Sequence, residues 1–262
     1  MMELREKVES AKQTIQKAIN NYNNVGVACS FGKDSLTTVD IAKTLDSDIT
    51  VFSIMTPFFP EETFRYAHRM NKELGLETNV YMVSDNVPEP LQKSEINIEL
   101  LETREFKKKS KKAKRESGGP LYRLNPDECC RLLKVEPINY AIRDLELDAW
   151  ISGLRNTESA TREDNSFFES RENSVKVNPI LEFTEKDVIN YLDKRNIQLH
   201  PWYKKEIGDK RYRSLGCAPC TEPVKEEENE RDGRWSWSDK TECGIHKSNK
   251  VDGNSQNPRD KK

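Results

Sequence analysis

Val25-Gly26-Val27-Ala28-Cys29-Ser30-Phe31-Gly32-Lys33-Asp34-Ser35 joins a short apolar run to a small-residue turn, and a helical pattern from Leu36 to about Leu45 follows at once. A run of strand length, a turn and a helix form the opening unit of an α/β sheet. The alternation continues with a strand at Ile49–Ile54, a helix from about Pro60 to Leu74 and a strand near Asn79–Val83. Upstream, residues 2–20 form a helix with Val8, Ala11, Ile15 and Ile19 on one face. Downstream, residues 127–145 are helical and Ala149–Gly153 is a strand. Thr184-Glu185-Lys186-Asp187 opens a helix to about Arg195 with a capping box in which Asp replaces the usual Glu or Gln. The expected fold is α/β, a parallel twisted sheet with helices on both faces. Periodicity fades from Gly216 and residues 247–262 are polar, so the expected division is a domain over 1–220 and a flexible C-terminal segment over 221–262.

Composition narrows the classes. Hydrophobic and charged residues each make up 34% of the 262, so the surface is strongly ionic. The net charge of −2 offers no bulk attraction for nucleic acid. The opening Met1–Thr14 has no apolar stretch behind its charges, and no run approaches the roughly 20 apolar residues of a membrane span. A cytoplasmic protein without a membrane partner is expected. Six cysteines in a reducing compartment are ligands or nucleophiles before they are disulfides. The run Lys107–Arg115 can attract polyanions, but no aromatic residues interleave it. It reads as a solvated, flexible insertion, and no nucleic-acid partner is expected.

Four constellations carry chemistry. In the turn at Ser30–Ser35, Gly32 allows close backbone approach, Ser30 and Ser35 supply hydroxyls, Lys33 adds charge, and the following helix N-terminus offers amides to a phosphate. It is not the GxxxxGK[ST] pattern, and an ordinary helix-capping turn is the competing reading. Cys129-Cys130 and Cys217-Ala218-Pro219-Cys220 supply four thiols in two pairs. That spacing leaves open an iron–sulfur cluster, a zinc site, a vicinal disulfide or unliganded thiols; adjacent thiolates suit the separate corners of a cluster better than one ion. Cys243 stands in a polar stretch, Glu242-Cys243-Gly244-Ile245-His246. The thiolate is its reactive form; Lys240, His246 and Lys247 favour it, whereas Asp239 and Glu242 oppose it. Finally, Arg155 and Arg162 follow the strand at 149–153, where two guanidiniums can clamp an oxyanion, although solvated arginines are commoner.

Several of these segments resemble one family in order along residues 25–246. The Ser30–Ser35 turn resembles the SGGxDS loop of the adenine-nucleotide α-hydrolases, with Phe31 in place of the second residue. Cys129-Cys130-Arg131-Leu132-Leu133-Lys134-Val135-Glu136-Pro137 resembles the CC-x-x-x-K-x-x-P segment of assimilatory adenylyl-sulfate reductases of the iron–sulfur type, and Gly216–Thr221 resembles their second ligand pair. Gly153–Arg162, the lead-in Arg231–Trp237 and the segment Glu242–His246 resemble further stretches of the sulfonucleotide reductases. The resemblance implies an adenine nucleotide α-hydrolase-like fold and a [4Fe–4S] cluster held by Cys129, Cys130, Cys217 and Cys220, with Lys134 beside it. It implies Cys243 as the nucleophile, and Ser30, Gly32, Lys33, Asp34, Ser35, Arg155, Arg162 and His246 as substrate contacts. The implied reaction converts adenylyl sulfate (APS) to sulfite and AMP through a sulfonated cysteine, with thioredoxin as reductant. Alternatives are reduction of the 3′-phosphorylated nucleotide (PAPS), or an ATP-dependent adenylyltransferase or sulfur transferase such as a tRNA thiolation enzyme. Met55-Thr56-Pro57-Phe58 departs from the family's loop after the second strand, so adenosine contacts there stay unassigned. Oligomeric state is left open, a homo-oligomer included.

Overall fold

Apolar β-branched runs and amphipathic helices alternate as the sequence pattern requires. The computed structural model describes residues 2–159, 162 and 165–246. Helix α1 (Leu4–Asn21) precedes strand β1 (Val25–Ala28), then α2 (Lys33–Lys43), β2 (Thr50–Met55), α3 (Glu61–Glu73), β3 (Asn79–Val83) and β4 (Asn97–Leu101). There follow α4 (Arg104–Ser117), α5 (Leu121–Leu124) and α6 (Pro126–Cys130). A π-helical turn, Arg131–Val135, leads directly into α7 (Glu136–Asp144). Strands β5 (Ala149–Ile151), β6 (Phe168–Ser170) and β7 (Val175–Val177) and helix α8 (Glu185–Lys194) complete the main layer. A second, small antiparallel sheet holds β8 (Glu206–Ile207), β9 (Lys210–Arg211) and β10 (Val224–Lys225).

The main sheet has the order β4-β3-β2-β1-β5-β7-β6, parallel throughout except for the edge strand β6. Strand residues alternate between two cores. Val27, Val51, Val80, Ile151 and Val177 face the larger one, shared with α1, α2, α3 and α8. Phe52, Tyr81 and Trp150 face the other, where α7 contributes Ile138, Ala141 and Ile142. Helices therefore cover both faces, as expected. The capping box of α8 is present: the Asp187 amide donates to Thr184 Oγ1 (3.2 Å) and the Thr184 amide to Asp187 Oδ2 (2.8 Å). Among the described residues no helix is long and apolar enough to cross a membrane.

Strand order reverses at β1, whose neighbours β2 and β5 lead to opposite edges. The crevice beyond the carboxyl ends of β1 and β5 is where open α/β sheets bind ligands. Gly153 belongs to this meeting point. A Cβ there would lie 2.8 Å from both Asp34 C and Ser35 N, so only glycine lets the chain after β5 lie against the first turn of α2.

Two segments take a form the pattern did not give. The basic run, expected as a solvated, flexible insertion, is the helix α4, none of whose residues is buried; Gly118 at φ 70° ends it in the left-handed conformation suited to glycine. The C-terminal segment expected to be flexible from 221 is folded back onto the domain through His246. What packs it is a set of ion pairs and aromatic contacts, which leave no periodic signature. Residues 247–262, Lys247 among them, lie outside the described residues.

Candidate active site

A cavity of about 200 Å³ opens at the β1–β5 crevice. The Ser30–Ser35 loop forms its floor. Phe31 holds φ 57°, a left-handed conformation that favours glycine, and its ring is 1% exposed in the main core. The ring thus replaces glycine's freedom with an anchor. The Ser30 amide donates to Ser35 Oγ (3.1 Å), and Ser35 Oγ donates to the Gly32 carbonyl (3.1 Å). Ser30, Gly32, Asp34 and Ser35 line the cavity; Lys33 does not. Its ammonium is buried behind the loop, donating to the Arg213 carbonyl (2.7 Å) and pairing with Glu230 (2.9 Å). Burial opposes its charge, but Asp34, Tyr203 and Glu230 hold its pKa above the ordinary value.

The two arginines expected as a clamp part company. Arg155 is fully buried and does not line the cavity: Nε donates to Asp34 Oδ1 (2.6 Å), Nη2 to Glu230 Oε2 (2.6 Å) and Nη1 to Thr157 Oγ1 (2.9 Å). Arg162 does line it, donating to Glu242 (2.7 and 3.0 Å) and paired with Glu158. Two further cavity arginines, Arg231 and Arg234, were visible in the sequence only as the lead-in to the aromatic pair. Arg231 Nη2 pairs with Glu242 Oε1 (2.8 Å), and Arg234 donates to the carbonyls of Leu215 (2.7 Å) and Cys220 (3.2 Å).

Cys243 and His246 line the same cavity. Cys243 is 8% exposed, so it is a packed residue rather than a thiol on a free tail. A hydrogen bond from the Cys130 thiol favours its thiolate; burial opposes this, and Lys134, the Ile245 amide and Lys240 add to the first effect. The pKa of Cys243 is held below the usual thiol range and that of Cys130 is pushed up. His246 departs from expectation. Burial, followed by Lys176, Arg162, Arg231 and Arg171, pushes its pKa far down, so it is a neutral ring and supplies no charge to the thiolate. Its Nδ1 has no hydrogen-bond partner, nor do Arg231 Nε and Trp235 Nε1, all buried at the cavity wall.

All four remaining candidate thiols line a neighbouring small cavity. Cys129, Cys130, Cys217 and Cys220 are 6–8% exposed, walled by Phe58, Tyr122 and Trp235. The adjacent pair ends α6, and the π turn after it places Lys134 toward the thiols. Burial works against the Lys134 charge, and Cys217, Cys243 and Cys130 favour it. Among the described residues no carboxylate pairs with Lys134, so its charge calls for negative sulfur. Lys134, Arg234 and Trp235 face both cavities and form the wall between them. The loop after β2, unassigned from sequence, braces this second cavity: Thr56 Oγ1 lies 3.2 Å from Cys217 Sγ and the Ala218 amide donates to the Phe58 carbonyl (2.8 Å). Among the described residues no group of three or more His, Cys, Asp or Glu side chains is disposed to hold a metal ion. The donor set itself is all thiol with cations around it, which fits the soft, anionic character of an iron–sulfur cluster.

A crevice at the strand-order reversal, lined by the Ser30–Ser35 loop and three arginines, places the chain among the α/β proteins whose ligand site lies beyond the carboxyl ends of the strands. Known structures agree on the fold: a phosphate complex of phosphoadenylyl-sulfate reductase from Candida auris aligns with TM-score 0.57 at 18% identity, over 79% of this chain and 90% of that one. FMN adenylyltransferase from Candida glabrata aligns with TM-score 0.57 at 11% identity, over 89% and 70%. The sequence model of the phosphoadenosine phosphosulfate reductase domain matches residues 24–223, and the chain belongs to that family. Among curated relatives, adenosine 5′-phosphosulfate reductase of Lysinibacillus sphaericus is 30% identical over 244 residues, covering 92% of each chain. That of Staphylococcus epidermidis is 29% identical over 256 residues, covering 95% of this chain and 92% of its own.

Proposed function

We propose that the protein reduces adenylyl sulfate to sulfite and AMP in assimilatory sulfate reduction, with Cys243 as nucleophile and a thioredoxin dithiol as reductant. The observation that carries the reading is that Cys243 shares one cavity with the Ser30–Ser35 loop and with Arg162, Arg231 and Arg234. A reactive thiol and an oxyanion clamp thus meet at a nucleotide crevice. The relatives' name, adenosine 5′-phosphosulfate reductase, supports the same substrate.

The loop and the apolar wall of Ala28, Ile54 and Trp150 receive the nucleoside and its phosphate, and the arginines receive the oxygens of the phosphate–sulfate group. The Cys243 thiolate attacks the sulfate sulfur; a sulfur–sulfur bond forms, the bond to the phosphate oxygen breaks, and AMP leaves with the electron pair. One thioredoxin thiolate then attacks Cys243 Sγ and sulfite departs. The second thiol resolves the mixed disulfide and returns Cys243 as thiolate. His246, neutral, serves as a hydrogen-bonding group to the substrate oxygens rather than as a charge.

Cys129, Cys130, Cys217 and Cys220 would hold a [4Fe–4S] cluster, and Lys134, facing both cavities, would stand between it and the substrate. When bound, the cluster supplies a fixed anionic body that orients Lys134 and the wall residues. Residues 221–246 act as the catalytic strap of the domain formed by 1–220.

The test is sulfite release by anaerobically purified protein with reduced thioredoxin, comparing adenylyl sulfate with its 3′-phosphorylated form. Faster turnover of adenylyl sulfate is expected. Preference for the other nucleotide would keep the chemistry and overturn the substrate; sulfite from neither would sink the reading. Iron and acid-labile sulfide in the same sample are expected, and stoichiometric zinc in colourless protein would overturn the cluster.

A further inference from the structure

Two carboxylates fasten the C-terminal strap, and they differ in what can reach them. Glu230 lies behind the loop, its Oε2 bridging Lys33 Nζ (2.9 Å) and Arg155 Nη2 (2.6 Å). None of these three groups lines the cavity. Glu242 lies inside it. Its carboxylate accepts from Arg162 Nε (2.7 Å) and Nη2 (3.0 Å), from Arg231 Nη2 (2.8 Å) and from the Cys243 amide (3.1 Å). Arg162, Arg231, Glu242 and Cys243 all line the cavity. Beside them stand three buried nitrogens without partners, Arg231 Nε, Trp235 Nε1 and His246 Nδ1. Buried, unpaired polar groups are costly, and together with two arginines they describe room for an oxyanion with more acceptor oxygens than a carboxylate.

We propose that Glu242 is an internal stand-in for the substrate's anionic group: it holds the Arg162–Arg231 pair in the free protein and is displaced when the nucleotide's oxyanion takes its place. Because the Cys243 amide is bound to the same carboxylate, displacement unfastens the nucleophile at the moment substrate arrives. Glu230, out of reach of the cavity, keeps the strap's other end attached. The strap therefore pivots rather than detaches. This inference rests on the proposed assignment of the cavity to a sulfonucleotide, and it names Glu242 as a positioning residue of that reaction.

The test uses amide hydrogen exchange and ligand binding, with AMP and inorganic sulfate as probes. In Glu242→Gln, which keeps shape and removes the charge, exchange over 241–246 in ligand-free protein should quicken, and AMP should bind about tenfold more tightly. In the wild type, saturating AMP or sulfate should quicken exchange over 241–246 and leave 229–232 unchanged. Glu230→Gln should lower stability without tightening AMP binding. Unchanged or weaker AMP binding in Glu242→Gln, or a wild-type segment 241–246 that AMP and sulfate leave unchanged or slow, would overturn the proposal. The wild-type exchange measurement decides the matter even if the variant fails to fold. Failure of the functional reading shows separately, as wild-type protein that releases no sulfite from adenylyl sulfate.

Discussion

Helix α4 and the last part of the strap, from Glu228 to His246, are both rich in charge, and they use it in opposite ways. No residue of α4 is buried; most of its lysines point to solvent or pair with exposed acids such as Asp85, and Lys109 reaches the half-buried Glu128. The cations of that stretch are enclosed and individually matched: Arg231 to Glu242, Arg234 to two carbonyls, and Lys240, 8% exposed, to Asp127. Exposed pairs contribute little, whereas breaking a buried pair leaves an uncompensated charge. Charge density along the sequence therefore marks the part of the molecule least involved in its chemistry, and sparse cations among tryptophans and cysteines mark the centre.

The sharpest way to break this comparison is at Cys243. Cys243→Ser should lower sulfite release by about 10³–10⁴-fold or more while AMP still binds, and mass spectrometry should find no sulfonated protein. Retained turnover would move the nucleophile elsewhere. Next comes Lys33, read from sequence as a substrate contact and found in the enclosed network. Lys33→Met should cost about 3 kcal/mol of stability in urea titration, because the buried Glu230 and Asp34 are left to share the single cation of Arg155. If stability holds and only nucleotide affinity falls, Lys33 belongs to the cavity after all.

A smaller effect is expected at His200, which lines the cavity and is 1% exposed. Burial lowers its pKa to about 4 from an ordinary 6.5, Glu62 opposing and Arg69 assisting. The folded state thus prefers the neutral ring. Its contribution is complete above pH 6.5 and is lost as pH falls from 6.5 toward 4, by about 2 kcal/mol at pH 5. Urea titrations at pH 7 and pH 5 should show that loss in the wild type and less of it in His200→Asn. Smallest of all, the triple variant Lys108→Ala, Lys111→Ala, Lys114→Ala should keep kcat/KM within about twofold and stability within about 0.5 kcal/mol per site. A large loss of turnover there, restored by higher thioredoxin concentration, would make α4 a docking face and end the contrast.

The central layer was legible because buried parallel strands carry continuous apolar runs: Val25–Ala28, Thr50–Met55 and Asn79–Val83 fall where the pattern placed them. Strand β4 was missed, since Asn97-Ile98-Glu99-Leu100-Leu101 pairs only with β3 and alternates weakly. The hairpin of β6 and β7 was hidden by Lys176, buried against Glu169 at 3.5 Å. Helix α4 lacked the apolar stripe that identifies a surface helix, for only Phe106 and Ala113 turn inward. At the site, the cysteines stood out by residue type and spacing, whereas the loop and Arg162 were singled out through the family resemblance of their segments. The withdrawal of Lys33 and Arg155 from the cavity was not, because it depends on Glu230, some 75 residues beyond Arg155 in the chain. Nor does any local signal foretell the π turn that directs Lys134.

Phe31 has a consequence for how the protein melts. A left-handed backbone at a bulky residue costs about 1–3 kcal/mol and persists only where its surroundings enforce it. Here the enforcement is the ring's place in the main core. The loop that receives the nucleotide cannot loosen without drawing an aromatic ring out of that core. Nucleotide competence and global structure should then disappear in one cooperative transition, and the loop has no melting point of its own.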